Sequence, residues 1–74
     1  MEKIPDHDTV KQIMDETYNK FYLKWRNALT LENAEHMMQE VRELEKKYPY
    51  RLCHDNLINF IECIEKEYRR RLQV

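Results

Sequence analysis

The sequence predicts an all-α protein, a small three-helix antiparallel bundle that forms one helical domain over residues 1–74. The chain contains no glycine and no serine. Without glycine, left-handed turns and tight hairpins are disfavoured, which argues against a small β-barrel or β-sandwich. Good helix formers such as Leu, Glu, Lys, Arg and Met dominate the composition. Apolar residues also recur three and four positions apart in three separate stretches, which is the spacing of amphipathic helices.

The first helix is expected over residues 9–28, after a flexible lead at residues 1–8. Thr9 is the predicted N-cap, and Gln12 completes a Thr-x-x-Gln capping box. The apolar stripe consists of Val10, Ile13, Met14, Thr17, Phe21, Trp25 and Ala28. The stripe loses its phase after Ala28, which predicts a turn at residues 28–31. A single bent helix stays open as an alternative, because neither glycine nor proline occurs there.

The second helix is expected over residues 31–48, with Thr30 as its N-cap and Leu31 as the start of its stripe. It ends before Pro49, because proline disfavours helical geometry in the residue that precedes it. The third helix is expected over residues 52–72. Short connections favour antiparallel neighbours. The predicted core is Met14, Phe21, Trp25, Ala34, Val41, Leu44, Leu57, Phe60, Ile61 and Ile64.

Charge and cysteine content narrow the class of protein. Thirteen basic residues oppose fourteen acidic ones, so no global field attracts the chain to nucleic acid or to anionic membranes. No apolar run is long enough for a membrane span, and the first eight residues lack an apolar signal region, so the cytoplasm is the expected location. Cys53 and Cys63 lie about 15 Å apart if they share one helix. They are therefore expected to be reduced, buried thiols.

The sequence predicts no enzyme, no cofactor and no metal site. A glycine-rich phosphate-binding loop and a serine nucleophile are both impossible with this composition. No pair of cysteines or histidines has the spacing that structural zinc sites use. The carboxylates of the second and third helices alternate with Lys and Arg, as on a solvated helix face. We therefore expect no catalytic residues.

The stretch YNKFYLKWRNAL, residues 18–29, is the most informative about binding. It interleaves aromatic and basic residues over a wide arc of the first helix. The favoured interpretation is a helix that contacts both other helices. The alternative is a strip that docks onto another protein, since Tyr, Trp and Arg are enriched at interface hot spots. The candidate partner-binding residues are Tyr18, Tyr22, Leu23, Arg26 and Leu29. The sequence leaves open whether the tyrosines belong to the core or to the surface.

The leading functional hypothesis is a non-enzymatic protein–protein interaction module. One alternative is a nucleic-acid-binding accessory protein that uses a C-terminal basic cluster, although several glutamates lie within two turns of it. The residues of that cluster are Lys66, Arg69, Arg70 and Arg71. A further alternative is self-association, because a chain this short has a thin core and a homodimer would bury more of its apolar surface.

The stretches LEKKYPYRLCHDNL and FIECIEKEYRRR, together with an aromatic residue in the first helix, resemble short proteins of phages and mobile elements of Gram-positive bacteria. The resemblance covers about the last forty residues. FIECIEKEYRRRL is also similar to the second helix of small sporulation checkpoint inhibitors, helical hairpins that block a histidine kinase. These resemblances imply a small accessory or host-modulating binding protein, an inhibitor or an adaptor. They imply no catalytic residues.

Overall fold

The computed structural model describes residues 4–72, and this part of the chain is all-helical, with no β-strand. The predicted all-α class is therefore confirmed. The helical elements are α1 (His7–Met14), the π-helical segment π1 (Asp15–Tyr22), α2 (Leu23–Trp25), α3 (Ala34–Lys47) and α4 (Arg51–Leu72). The first three elements follow one another without a break, and we call residues 7–25 the first helix. None of the described helices is both long and apolar enough to cross a membrane.

The first helix begins two residues earlier than predicted, with Asp6 as its N-cap. The Asp6 carboxylate accepts a hydrogen bond of 2.7 Å from the backbone N–H of Thr9, which lowers the pKa of Asp6. The predicted cap at Thr9 is wrong, since Thr9 lies inside the helix. Aspartate caps at least as well as threonine, and its charge also suits the positive end of the helix dipole. His7 and Asp8, predicted to belong to a flexible lead, are helical; residues 1–3 lie outside the described residues.

The middle of the first helix is π-helical, and this decides which residues face the core. The buried residues recur at every fourth position: Ile13, Thr17, Phe21, Trp25 and Leu29. In a straight α-helix each successive member of this set would rotate by about 40°. A π-helix has more residues in each turn and opposes that drift. Met14, predicted to be in the core, is consequently 47% exposed, and Ala28 is exposed as well.

The first helix ends at Trp25, three residues before the predicted end, and α3 begins at Ala34 instead of residue 31. The first and second helices are thus separate. Thr30 and Asn33 hold the intervening turn by exchanging hydrogen bonds from each backbone N–H to the other's side-chain oxygen, at 2.6 and 3.2 Å. Asn33, rather than the predicted Thr30, flanks the helix start. Leu31 is exposed in the turn, so its predicted place in the apolar stripe is wrong.

The core combines residues from all three helical stretches. Its buried apolar members are Ile13, Phe21, Trp25, Leu29, Met37, Val41, Tyr48, Cys53, Leu57 and Ile64. Four predicted core residues pack against the edge of this cluster and are only partly buried: Ala34, Leu44, Phe60 and Ile61. His54 Nδ1 and Glu45 Oε1 lie 2.6 Å apart, and this contact links α4 to α3 across the connection between them.

The order of the contacts along each pair of helices gives the relative directions of the helices. Between the first helix and α3, residue numbers change in opposite directions. The pairs are Glu16–Lys47 and Lys24–Glu40. Between the first helix and α4, residue numbers rise together. The pairs are Met14–Asn56 and Arg26–Glu67. The first helix thus contacts both α3 and α4.

Candidate functional site

A row of half-exposed side chains follows the seam between the first helix and α4. We define the aromatic strip as Met14, Tyr18 and Tyr22 of the first helix, Arg26 directly after the end of that helix, and Phe60 of α4. The Tyr22 and Phe60 rings stack with centroids 4.9 Å apart. Tyr18 stacks on Tyr22 at 5.9 Å and tilts against Phe60 at 6.1 Å. The three rings therefore form one continuous cluster that two helices hold in place.

The strip is most accessible to solvent at Met14 and Tyr18. Met14 and Tyr18 are 47% and 44% exposed, and Tyr22 and Phe60 are partly buried beneath them. Tyr22 and Phe60 both pack against the main core. The inner rings thus anchor the strip, while Tyr18 and Met14 present apolar surface to solvent. Burial raises the pKa of Tyr22, and the nearby Glu67 carboxylate raises it further.

Arg26 ends the strip with a guanidinium group that has unused donors. The group lies over the Tyr22 ring, 5.7 Å from its centroid. Its only hydrogen bond within the described residues is a long one of 3.5 Å to Glu67 Oε1. Arg26 Nε and Glu67 Oε2 are buried without a hydrogen-bond partner in that part of the chain. Nε is too buried to reach a ligand, but 42% of the Arg26 side chain is exposed, so the terminal amino groups of the guanidinium can still bind a carboxylate.

The structure brings together three of the five predicted partner-binding residues, namely Tyr18, Tyr22 and Arg26. Leu23 follows Tyr22 in the sequence and is 38% exposed, so it borders the strip. Leu29 is only 5% exposed and belongs to the core, so its predicted place on a docking surface is wrong. The reason is that Leu29 continues the four-residue series of buried residues.

Two members of the strip were missed as site residues. Met14 and Phe60 were both assigned to the core, because each continues an apolar stripe of its helix. The available signal was the four-residue spacing of Met14, Tyr18, Tyr22 and Arg26, which runs parallel to the buried series. No sequence pattern could place Phe60 against Tyr22, since the two residues lie on different helices.

The residues of the C-terminal basic cluster differ in the contacts that they make within the chain. Arg71 donates hydrogen bonds to the backbone carbonyls of Asn27 and Leu29, at 2.9 and 3.2 Å. Its guanidinium also lies over the Tyr68 ring. Arg71 is exposed, and it fastens the turn after the first helix to the end of α4. Lys66, Arg69 and Arg70 are exposed.

A groove of about 260 Å³ lies between the first helix and α3. Its lining is Glu16, Lys20, Phe21, Glu40, Glu43, Leu44 and Lys47. Lys47 and Glu16 pair at 3.0 Å across it, and Glu40 accepts hydrogen bonds from Lys24 and from the Trp25 indole. Since acidic and basic side chains largely pair with each other, the groove presents mixed charge to a ligand.

Glu16 is the most buried carboxylate that these ion pairs involve, with 14% of its side chain exposed. Burial by itself raises the pKa of Glu16. The neighbouring Tyr48 hydroxyl and Lys47 ammonium, with the charge of Lys20, outweigh that effect and lower the pKa overall. Glu16 is therefore a carboxylate that fastens the first helix to α3.

The two cysteines are both free thiols, but they differ in environment. Cys53 is buried, and its thiol lies 3.7 Å from the Leu44 carbonyl oxygen. Burial raises the pKa of Cys53 to about 11, and the charges of Glu45 and Glu16 contribute. Cys63 is exposed, so its predicted burial is wrong.

We expect one thiol of the native protein to react quickly with a disulfide reagent at pH 8, and one slowly. Cys63 is accessible, whereas Cys53 is buried and fully protonated at that pH, and the thiolate is the reactive form. A titration with 5,5′-dithiobis(2-nitrobenzoate) measures both rates. Cys63→Ser should abolish the fast phase, and urea should make the two thiols equally reactive. Two fast phases in the native protein would contradict the burial of Cys53.

Within residues 4–72, no group of three or more His, Cys, Asp and Glu side chains is placed to hold a metal ion. Comparisons with protein-family models, with curated proteins and with solved structures find no match to this chain. The roles of the residues are accordingly argued from the surfaces described above.

Proposed function

We propose that the chain is a non-enzymatic interaction module that docks onto another protein through the aromatic strip. The observation that carries the proposal is the contiguous exposure of Met14 and Tyr18 on a base of stacked rings, with Arg26 at the end. Isolated apolar side chains are common on protein surfaces and need no explanation. Tyr and Arg in one cluster are typical of interface hot spots, because they combine large apolar area with polar ends.

The stacked Tyr22 and Phe60 rings hold the strip in a fixed conformation, which favours tight binding. Tyr22 and Phe60 are held between two helices, so the strip pays little conformational entropy when a partner covers it. The proposal includes the arrangement of the three helices as an antiparallel bundle. Residue numbers change in opposite directions along the contacts between the first helix and α3, and rise together along the contacts between the first helix and α4. Both observations support that arrangement.

We propose the biological setting on the basis of the resemblance of the last forty or so residues to proteins of phages and mobile elements. We propose a cytoplasmic inhibitor or adaptor that acts on a host protein. A docking surface without catalytic chemistry suits such a role, since blocking or bridging a partner requires only binding.

A photo-crosslinking experiment tests the proposal. The purified chain carries p-benzoylphenylalanine at position 18, or at position 46 as a control on α3, and is irradiated in lysate of the organism that encodes it. A specific protein crosslinked from position 18 but not from position 46 is the expected result. Equal crosslinking from both positions would contradict docking through the strip.

Once that protein is purified, we expect Tyr18→Ala combined with Leu23→Ala to weaken its binding by about 30-fold or more, the effect of losing hot-spot contacts. Tyr18 also packs on the Tyr22 and Phe60 rings, so the melting temperature should fall by a few degrees while the chain stays folded, which circular dichroism checks. Lys46→Ala is the matched control and should bind normally. If the crosslinked product disappears when the lysate is treated with nuclease, the result would instead favour nucleic-acid binding through the exposed Lys66, Arg69 and Arg70.

A further inference from the structure

We infer that, when no other protein occupies it, the aromatic strip is the interface of a symmetric homodimer in which a second copy of this chain covers it. The inference deepens the proposed function, because it assigns an occupant to the same surface, and it rests on the strip being a docking surface. A homodimer would also compensate for the thin core of so short a chain.

The charges at the two ends of the strip are complementary. Asp15 lies three residues before Tyr18, and Arg26 lies four residues after Tyr22. In a two-fold symmetric interface, each contact between residue i and residue j occurs twice, with the copies exchanged. A two-fold axis midway between Asp15 and Arg26, at the level of Lys20 and Phe21, makes the two first helices antiparallel. Asp15 of each copy then faces Arg26 of the other.

Both charged groups can accept these contacts. The Arg26 guanidinium makes one long hydrogen bond, to Glu67, as described above. The exposed Asp15 carboxylate accepts one hydrogen bond of 2.8 Å from Asn19 and lies 4.0 Å from Lys20. An ionised carboxylate has about four acceptor sites, and a guanidinium pairs with it in a bidentate manner. Each end of the strip therefore has capacity for one intermolecular ion pair.

The apolar residues obey the same symmetry. The axis that pairs Asp15 with Arg26 places Tyr18 of one copy near Leu23 of the other, twice. These two side chains are among the exposed large hydrophobic residues of the chain. Their mutual burial removes apolar area from water, and the flanking ion pairs set the antiparallel register.

Charge reversal tests the inference by sedimentation equilibrium of the full chain. The wild-type protein should dimerise. Asp15→Arg and Arg26→Glu should each raise the dimer Kd by about tenfold or more, because each alone juxtaposes like charges. An equimolar mixture of the two variants should restore association, since the introduced arginine faces the introduced glutamate, and native Arg26 faces native Asp15. Lys46→Glu, which changes the charge as Arg26→Glu does, is the control and should leave the Kd unchanged.

Two further measurements keep the outcomes distinct. Circular dichroism verifies that each variant is folded. If Arg26→Glu does not fold, Tyr18→Glu takes its place, and this change at an exposed position should also prevent dimerisation. A wild-type chain that is monomeric at millimolar concentration would overturn the inference, as would variants that dimerise like the parent. A monomer that still crosslinks another protein from position 18 would leave the proposed function standing. A dimer that crosslinks only itself would retain the inference and reject docking onto another protein.

Discussion

Trp25→Ala is expected to lower the free energy of unfolding by about 3–5 kcal/mol, the usual cost of truncating a buried aromatic residue. Trp25 is 5% exposed and belongs to the core cluster. Its indole N–H also donates a hydrogen bond of 3.1 Å to Glu40, which ties the first helix to α3. Natural domains are stable by only about 5–15 kcal/mol. The variant should therefore be largely unfolded under mild denaturing conditions.

Urea titration followed by circular dichroism at 222 nm measures this change without the tryptophan signal. Trp25→Phe keeps most of the ring but loses the hydrogen bond, so it should cost less than Trp25→Ala. Lys24→Ala removes an exposed ion pair to Glu40 and the contact of the ammonium with the face of the Trp25 ring, and it should cost only about 1 kcal/mol. A Trp25→Ala variant that unfolds at the same urea concentration as the parent would exclude Trp25 from the core.

Phe21→Ala is expected to destabilise the chain by a similar amount, about 3–5 kcal/mol. Phe21 is 1% exposed and lies within π1, where the slower winding keeps it in line with Ile13 and Trp25. Truncation of its ring leaves a cavity that the surrounding helices can close only in part. The same urea titration measures the loss.

Met14→Ala is the matched control for Phe21→Ala, since both residues lie on the first helix and the sequence assigns both to the core. Met14 is half-exposed, so its truncation should change the free energy of unfolding by only about 0.5–1 kcal/mol. If Met14→Ala proved as costly as Phe21→Ala, the first helix would wind as a regular α-helix with Met14 inside.

Much of the fold could be predicted from the sequence. The all-α class and the existence of three helical stretches are confirmed, and so is the burial of Phe21, Trp25, Val41, Leu57 and Ile64. These features depend on backbone preference and on apolar periodicity, which nearby residues determine. Helix boundaries were less accurate. At the start of the first helix the structure uses Asp6 as the N-cap, three residues before the predicted Thr9; both residue types cap helices, so residue preference alone does not choose between them.

The candidate site could be predicted only in part. Tyr18, Tyr22 and Arg26 were identified from their residue types and their shared helix. The wrong assignment of Leu29 has the same origin as that of Met14. A regular α-helical wheel places Leu29 beside the tyrosines and Met14 beside Phe21. Each residue of a π-helix rotates about the helix axis by a smaller angle than a residue of an α-helix does. Over several residues this difference turns an inward-facing position outward.

The sequence by itself determined that this chain forms helices, where turns interrupt them, and that aromatic and basic residues share the first helix. Those properties are local, because they depend on residues within a few turns of one another. The tertiary structure alone decided that Phe60 stacks on Tyr22, that Arg71 fastens the turn at Asn27 and Leu29, and that Cys63 faces solvent while Cys53 does not. These contacts join residues up to 44 positions apart, and their geometry depends on how each helix winds and packs.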